Sequence, residues 1–168
     1  MDPDYTTYES QAYSYSKNIE NIPALIEYTP GKWKFDFEKF QERVTPKAKL
    51  LMISNSNNPT GYLYTKEDNK AILDLAEDMD FYILSDQVSE EIVFSDGDYN
   101  SILSLPNALE RTIVCSSYSK LYNLSGLRIG FAIGESKIIE HINTLKGWVT
   151  DGICSPSVDA IISILSEE

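Results

Sequence analysis

Hydrophobic and polar positions along this chain follow two periods in turn. Leu50-Leu51-Met52-Ile53-Ser54, Phe81-Tyr82-Ile83-Leu84-Ser85 and Thr112-Ile113-Val114-Cys115-Ser116 are short continuous apolar runs, the pattern of strands covered on both faces. Between them the spacing becomes helical. Thr65 stands ahead of Ile72, Leu75, Ala76 and Met79, which fall at i, i+3, i+4 and i+7, and Asp68 completes a capping-box pattern with Thr65. Asp36 opens another helix with Phe37, Phe40 and Val44. Ser136 precedes Ile138, Ile139, Ile142 and Leu145, and Val158, Ile161, Ile162 and Leu165 make a last apolar stripe. Over residues 5–21, rich in Ser, Asn and Tyr, the spacing of Tyr8, Ala12 and Tyr15 predicts a weak helix.

Alternating strands and helices predict βαβ units with right-handed crossovers, hence an α/β fold of three layers, α/β/α, on a mainly parallel sheet. The run from Arg128 to Ile133 breaks the pattern. About ten residues separate it from the strand ending near Ser117, fewer than the dozen or so a parallel crossover needs, so this strand is expected to be antiparallel.

Composition bounds the function. The 168 residues make about one domain at ~150 residues each. With 42% hydrophobic residues, 8 Gly and 7 Pro, the chain can bury a core. Its 14 basic and 26 acidic side chains leave a net charge of -12, which argues against a nucleic-acid surface and against an anionic membrane. Residues 64–100 concentrate that charge, eleven acids against two lysines, a pattern read as a solvated acidic face. No apolar run approaches the ~18 residues of a membrane helix. The opening Met1-Asp2-Pro3-Asp4 lacks the basic and apolar regions of a secretory signal, so a cytoplasmic location is expected. Cys115 and Cys154 have no CxxC spacing and His141 is the one histidine, so neither a metal site nor a disulfide scaffold is expected. His141 lies in a helical pattern away from any nucleophile, which argues against Ser-His or Cys-His catalysis.

Ligands of open parallel sheets sit beyond the carboxyl ends of the strands. Three such ends are polar here: Asn55-Ser56-Asn57-Asn58-Pro59-Thr60-Gly61 follows the first run, Asp86 the second, and Ser117-Tyr118-Ser119-Lys120 the third. Topology alone brings together an amide, a carboxylate, two hydroxyls and an amine. Each also has a plain role: Asn58-Pro59-Thr60-Gly61 makes a good turn, an Asp after a strand caps the next helix, and a lysine is a solvated charge.

Four motifs in order add weight: Asn57-Asn58-Pro59-Thr60-Gly61, Ser85-Asp86-Gln87-Val88, Ser117-Tyr118-Ser119-Lys120 and Gly126-Leu127-Arg128-Ile129-Gly130. Together they resemble the fold-type I pyridoxal-phosphate enzymes, and most closely the class I and II aminotransferases of the aspartate aminotransferase superfamily. The resemblance runs over the whole chain, residues 1–168, as a central part of the family's large domain. It implies pyridoxal 5'-phosphate as cofactor, amino acid and 2-oxo acid as substrates, and a homodimer. Lys120 resembles the lysine that forms the Schiff base, and Asp86 the carboxylate facing the pyridine nitrogen. Asn58 is similar to the asparagine near the 3'-oxygen, Arg128 matches the arginine that clamps the phosphate, and Ser117 and Ser119 add hydroxyl donors to it. Two departures stand out. Ser89 occupies the position where many members carry a phenol toward the 3'-oxygen. The chain is also less than half the family's length: a first phosphate loop and the ring-stacking aromatic are expected ahead of Met1, and a small domain beyond Glu168. On that ground the isolated chain is expected not to transaminate. Lyases, decarboxylating synthases and cyclopropane-forming synthases share these motifs, and a non-catalytic protein of the same fold is a further alternative.

Overall fold

The computed structural model describes residues 1–16, 18–94 and 99–167. Lys17 of the predicted weak helix, Asp96 and Asp98 of the acidic stretch, and Glu168 lie outside the described residues. The elements run α1 (Thr6–Tyr15), β1 (Leu25–Thr29), β2 (Lys32–Phe35), α2 (Phe37–Arg43), β3 (Leu50–Ser54), α3 (Lys66–Met79), β4 (Tyr82–Asp86), β5 (Thr112–Ser117), α4 (Tyr118–Leu121), β6 (Gly130–Ile133), α5 (Ser136–Val149) and α6 (Ser155–Leu165).

The central sheet has the order β3-β4-β5-β6. β3, β4 and β5 are parallel, and β6 joins β5 antiparallel as expected, though it starts at Gly130 and not at Arg128. Gly130 is needed where the two approach, since a Cβ there would meet the Ser116 carbonyl oxygen at 2.6 Å. In register, Ser54 stands opposite Asp86 and Asp86 opposite Cys115, so the three carboxyl ends form one row.

α3 starts where the sequence marks it. Thr65 Oγ1 accepts from Asp68 N at 3.0 Å and Asp68 Oδ2 accepts from Thr65 N at 2.9 Å, a closed capping box. Its inner face, Ile72, Leu73, Leu75 and Ala76, is buried with Leu51, Ile53, Ile83 and Val114 of the sheet. Phe40 of α2 and Phe81 complete that core, with Asp36 capping α2 through Lys39 N at 3.0 Å.

Three differences from the sequence pattern have physical reasons. First, β1 and β2 form a two-stranded antiparallel hairpin over the core, closed by Pro30-Gly31 with Gly31 at φ +74°. Its signal was the alternation Lys32-Trp33-Lys34-Phe35 after a Pro-Gly turn. Second, the weak helix shortens to Thr6–Tyr15 and buries none of its residues. Third, the continuous apolar strands are closed on one face only. Leu51, Ile53, Ile83 and Val114 are buried, but on the opposite face Leu50 is 50% and Tyr82 43% exposed. α1 lies over that second face across a cleft of about 160 Å³ lined by Tyr8, Gln11, Met52, Ile53, Leu84, Asp86 and Cys115. The sheet thus has helices on both sides, one layer tightly packed and one sparse. Among the described residues no helix is long and apolar enough to cross a membrane.

Candidate active site

The site lies at the carboxyl row, and each strand end contributes differently. After β3 the chain turns through Asn55 to Gly61. Asn57 is buried and consumed by the turn: its Oδ1 accepts from Thr60 Oγ1 at 2.6 Å, its Nδ2 donates to the Pro3 carbonyl at 3.1 Å, and its carbonyl accepts from Gly61 N at 2.7 Å. Asn55 is likewise buried, donating to the Asn100 carbonyl at 2.9 Å. With two asparagines holding the loop, Asn58 is the one whose side chain is exposed, its backbone N–H tied to Ser54 Oγ at 3.3 Å.

At the end of β4, Gln87 points into the core, accepting from Ser101 Oγ at 2.9 Å and donating to Ser85 Oγ at 3.1 Å. Strand alternation therefore turns Asp86 toward the open face. Its carboxylate is held on both oxygens: Oδ1 accepts from Val88 N at 3.0 Å and Oδ2 from the Tyr8 hydroxyl at 2.5 Å. Ser89 is half-buried in the turn that follows.

At the end of β5, Ser117 Oγ donates to the Ile129 carbonyl at 3.0 Å and accepts from Ser119 N at 3.2 Å, and the two serine hydroxyls stand 2.9 Å apart. These bonds fasten the turn into α4 to the start of β6, where Ser117 pairs with Gly130. Arg128, two residues before Gly130, is exposed with φ +55°, and its Nη1 donates to the Ser125 carbonyl at 2.8 Å. Lys120, on α4, is exposed and has no ion pair among the described residues.

Carboxylates shape the electrostatics of the row. Burial, then the Asp86 hydrogen bond, pushes the Tyr8 phenol well above its ordinary range, so it stays a donor. Burial also raises the Asp4 carboxyl, against the lowering pull of Ser54, whose hydroxyl donates to Asp4 Oδ1 at 2.5 Å. The Cys115 thiol is pushed up by burial and by Asp86. Tyr99, donating to the Asn55 carbonyl at 3.1 Å, is raised by burial and then by Glu90 and Asp86.

All six residues singled out from sequence thus lie at this one edge: Asp86 and Ser117 end strands, Ser119 and Lys120 are on α4, and Asn58 and Arg128 are in the connections. Missing from that set were Asp4, Tyr5 and Tyr8. The Tyr5 and Tyr8 rings meet edge to face at 5.5 Å beside Asp86, and no spacing in the sequence links Tyr8 to a carboxylate 78 residues away. His141 lies exposed on α5, its Nδ1 2.6 Å from the Lys137 carbonyl. Among the described residues no group of three His, Cys, Asp or Glu could hold a metal.

The geometry has counterparts among known proteins. The family model for aminotransferase class I and II matches residues 6–168. An aspartate aminotransferase of Pyrococcus horikoshii is 30% identical over 168 residues, 99% of this chain and 42% of that protein. The fold is that of the N-succinyldiaminopimelate aminotransferase from Mycobacterium tuberculosis, with a TM-score of 0.90, 24% identity and coverage of 99% of this chain and 43% of that one. It is also that of a pyridoxal-phosphate-bound C-S lyase from Staphylococcus hominis, with a TM-score of 0.77, 23% identity, and 85% and 36% coverage. The chain spans about two fifths of the length of the first two. By its motifs, its fold and its match over nearly every residue, the chain belongs to the class I and II aminotransferase family.

Proposed function

We propose that this chain is the cofactor-binding part of a pyridoxal-phosphate-dependent aminotransferase that moves an amino group from an amino acid to a 2-oxo acid. The carrying observation is the set of polar groups on one sheet edge: an exposed amine with no ion pair among the described residues, a carboxylate fixed on both oxygens, an exposed amide, two hydroxyls and a guanidinium. Pyridoxal phosphate presents an aldehyde, a pyridine nitrogen, a 3'-oxygen and a phosphate, so the residues fit the group chemically. When bound, it supplies an electrophilic aldehyde and a ring that accepts electrons from the substrate's α carbon.

The chain's own residues divide the remaining work. Lys120 Nζ would hold the cofactor as the primary amine suited to an aldehyde, and as a base it would carry the proton to and from the substrate's α carbon. Asp86, anchored by Val88 N and Tyr8, holds a proton at the ring nitrogen. Asn58, exposed and tied to the turn through its backbone N–H, would supply its side-chain amide to the 3'-oxygen. Arg128 and the Ser117-Ser119 pair would take the phosphate dianion, the guanidinium and the Ser119 hydroxyl as donors and Ser117, bonded to the Ile129 carbonyl, holding Ser119 in place. A homodimer is part of this reading, supported by Leu145, Trp148 and Val149 standing exposed on α5.

Borohydride reduction after addition of pyridoxal phosphate tests the assignment. A pyridoxyl mass is expected on the Lys120 peptide, and Lys120→Ala is expected to remove it. Label spread evenly over the other lysines would mean surface chemistry and overturn the proposal.

A further inference from the structure

Helix α1 buries none of its residues, yet two side chains of the N-terminal segment reach the carboxyl row. Asp4 accepts from Ser54 Oγ on β3, and Tyr8 donates to Asp86 Oδ2 on β4, both at 2.5 Å. Ser54 and Asp86 are register partners, so the segment is fastened to two neighbouring strand ends. The Tyr8 ring is braced by Tyr5, edge to face. We propose that Tyr8 is a positioning residue: its hydroxyl fixes the plane of the Asp86 carboxylate and draws charge from Oδ2, tempering the pull of Asp86 on a proton at the ring nitrogen of pyridoxal phosphate. This inference rests on the pyridoxal-phosphate reading.

Geometry carries it. Each carboxylate oxygen can accept two hydrogen bonds, and Asp86 has one donor on each oxygen from the protein, Val88 N on Oδ1 and Tyr8 on Oδ2. One acceptor position per oxygen remains, in a plane already chosen. Removing the hydroxyl would free the carboxylate to rotate about its last torsion and would return its full charge to the ring nitrogen. Because burial and Asp86 hold the phenol protonated, Tyr8 acts only as a donor and does not itself exchange the proton.

Tyr8→Phe keeps the ring and its contact with Tyr5 while removing the hydroxyl. With isotope-labelled pyridoxal phosphate bound, the ring-nitrogen NMR resonance is expected to shift toward the fully protonated position in Tyr8→Phe. An unchanged resonance, or a shift the other way, would overturn the inference. The protein without cofactor supplies an independent arm. There, the hydroxyl-bearing ring carbon of Tyr8, assigned by its loss in Tyr8→Phe, is expected to shift in Asp86→Asn, and no shift would overturn the contact itself. Wild-type protein that takes up no pyridoxal phosphate but shows that second shift would sink the cofactor reading and with it the tuning role.

Discussion

The two faces of the central sheet are built from the same strands and do different things. On the α3 side, Ile53 and Ile83 are sealed against Ile72 and Ala76. One residue along in each strand, Met52 and Leu84 look onto a cleft under α1 with a carboxylate at its rim. The first face excludes water and stabilises by area removed from solvent. The second leaves room where Asp86 stands, and its covering helix is held by hydrogen bonds at the strand ends rather than by a buried apolar stripe. The packed core and the candidate site are thus separated by the two-residue period of the strand, so substitutions one position apart should report on different properties.

The largest effect is expected from Ile83→Ala against Leu84→Ala. A sealed isoleucine leaves a cavity, and about 3–4 kcal/mol of stability should be lost. Leu84, half-buried beside an existing cleft, should cost roughly 1–2 kcal/mol, since little new void is made there. Urea denaturation of both variants measures the difference. Equal losses would mean the two faces are packed alike. The converse test is Asp86→Asn, which keeps an acceptor for Val88 N but removes the charge. Under the proposed function, in a full-length protein that contains this chain, it should slow proton abstraction by about 3 kcal/mol of barrier, the scale of one lost electrostatic contact, while shifting the unfolding free energy by less than about 1 kcal/mol. A variant that keeps its rate would take Asp86 out of the chemistry.

Much of this arrangement was legible beforehand because it is local. The capping box at Thr65, the helical stripe from Ile72 to Met79, the apolar strands and the short link before β6 are each written within a few residues, and strand order then brings Asn58, Asp86 and Lys120 to one edge. What stayed hidden depends on distance or on what covers a surface. An apolar run says that both faces could be buried, yet Leu50 and Tyr82 are exposed. The Tyr8–Asp86 bond spans 78 residues and leaves no periodic trace. The β1–β2 hairpin was readable in principle from Pro30-Gly31, but its strands are short and carry lysines at exposed positions.

The closed face can also be loosened from its margin. Thr65→Ala removes the acceptor for Asp68 N and half of the capping box that starts α3, a loss of about 1 kcal/mol. Hydrogen exchange should rise in the first turn of α3 and leave β4 and β5 protected. Exchange rising equally across the sheet would show that α3 and the strands open as one unit, with little contrast between packed layer and sheet edge.

The smallest effect concerns the margin of the open face, at Asp4. Burial raises its carboxyl above the ordinary aspartate range despite the Ser54 hydrogen bond and the Met1 amine 3.7 Å from Oδ2, an oxygen that accepts no hydrogen bond among the described residues. A carboxyl whose folded-state pKa exceeds its unfolded value binds protons more tightly when folded, so its contribution favours folding most below the unfolded pKa and is lost as pH rises through the folded one. At neutral pH the group is therefore a small liability. Asp4→Asn keeps an acceptor for the Ser54 hydroxyl and carries no charge to desolvate. Its stability relative to wild type should rise between about pH 4 and pH 7, by less than roughly 1 kcal/mol. Urea midpoints of the two proteins across that range measure it. A constant difference would show that Asp4 titrates as it does in the unfolded chain, and that the edge under α1 is wetter than the packing around Ser54 implies.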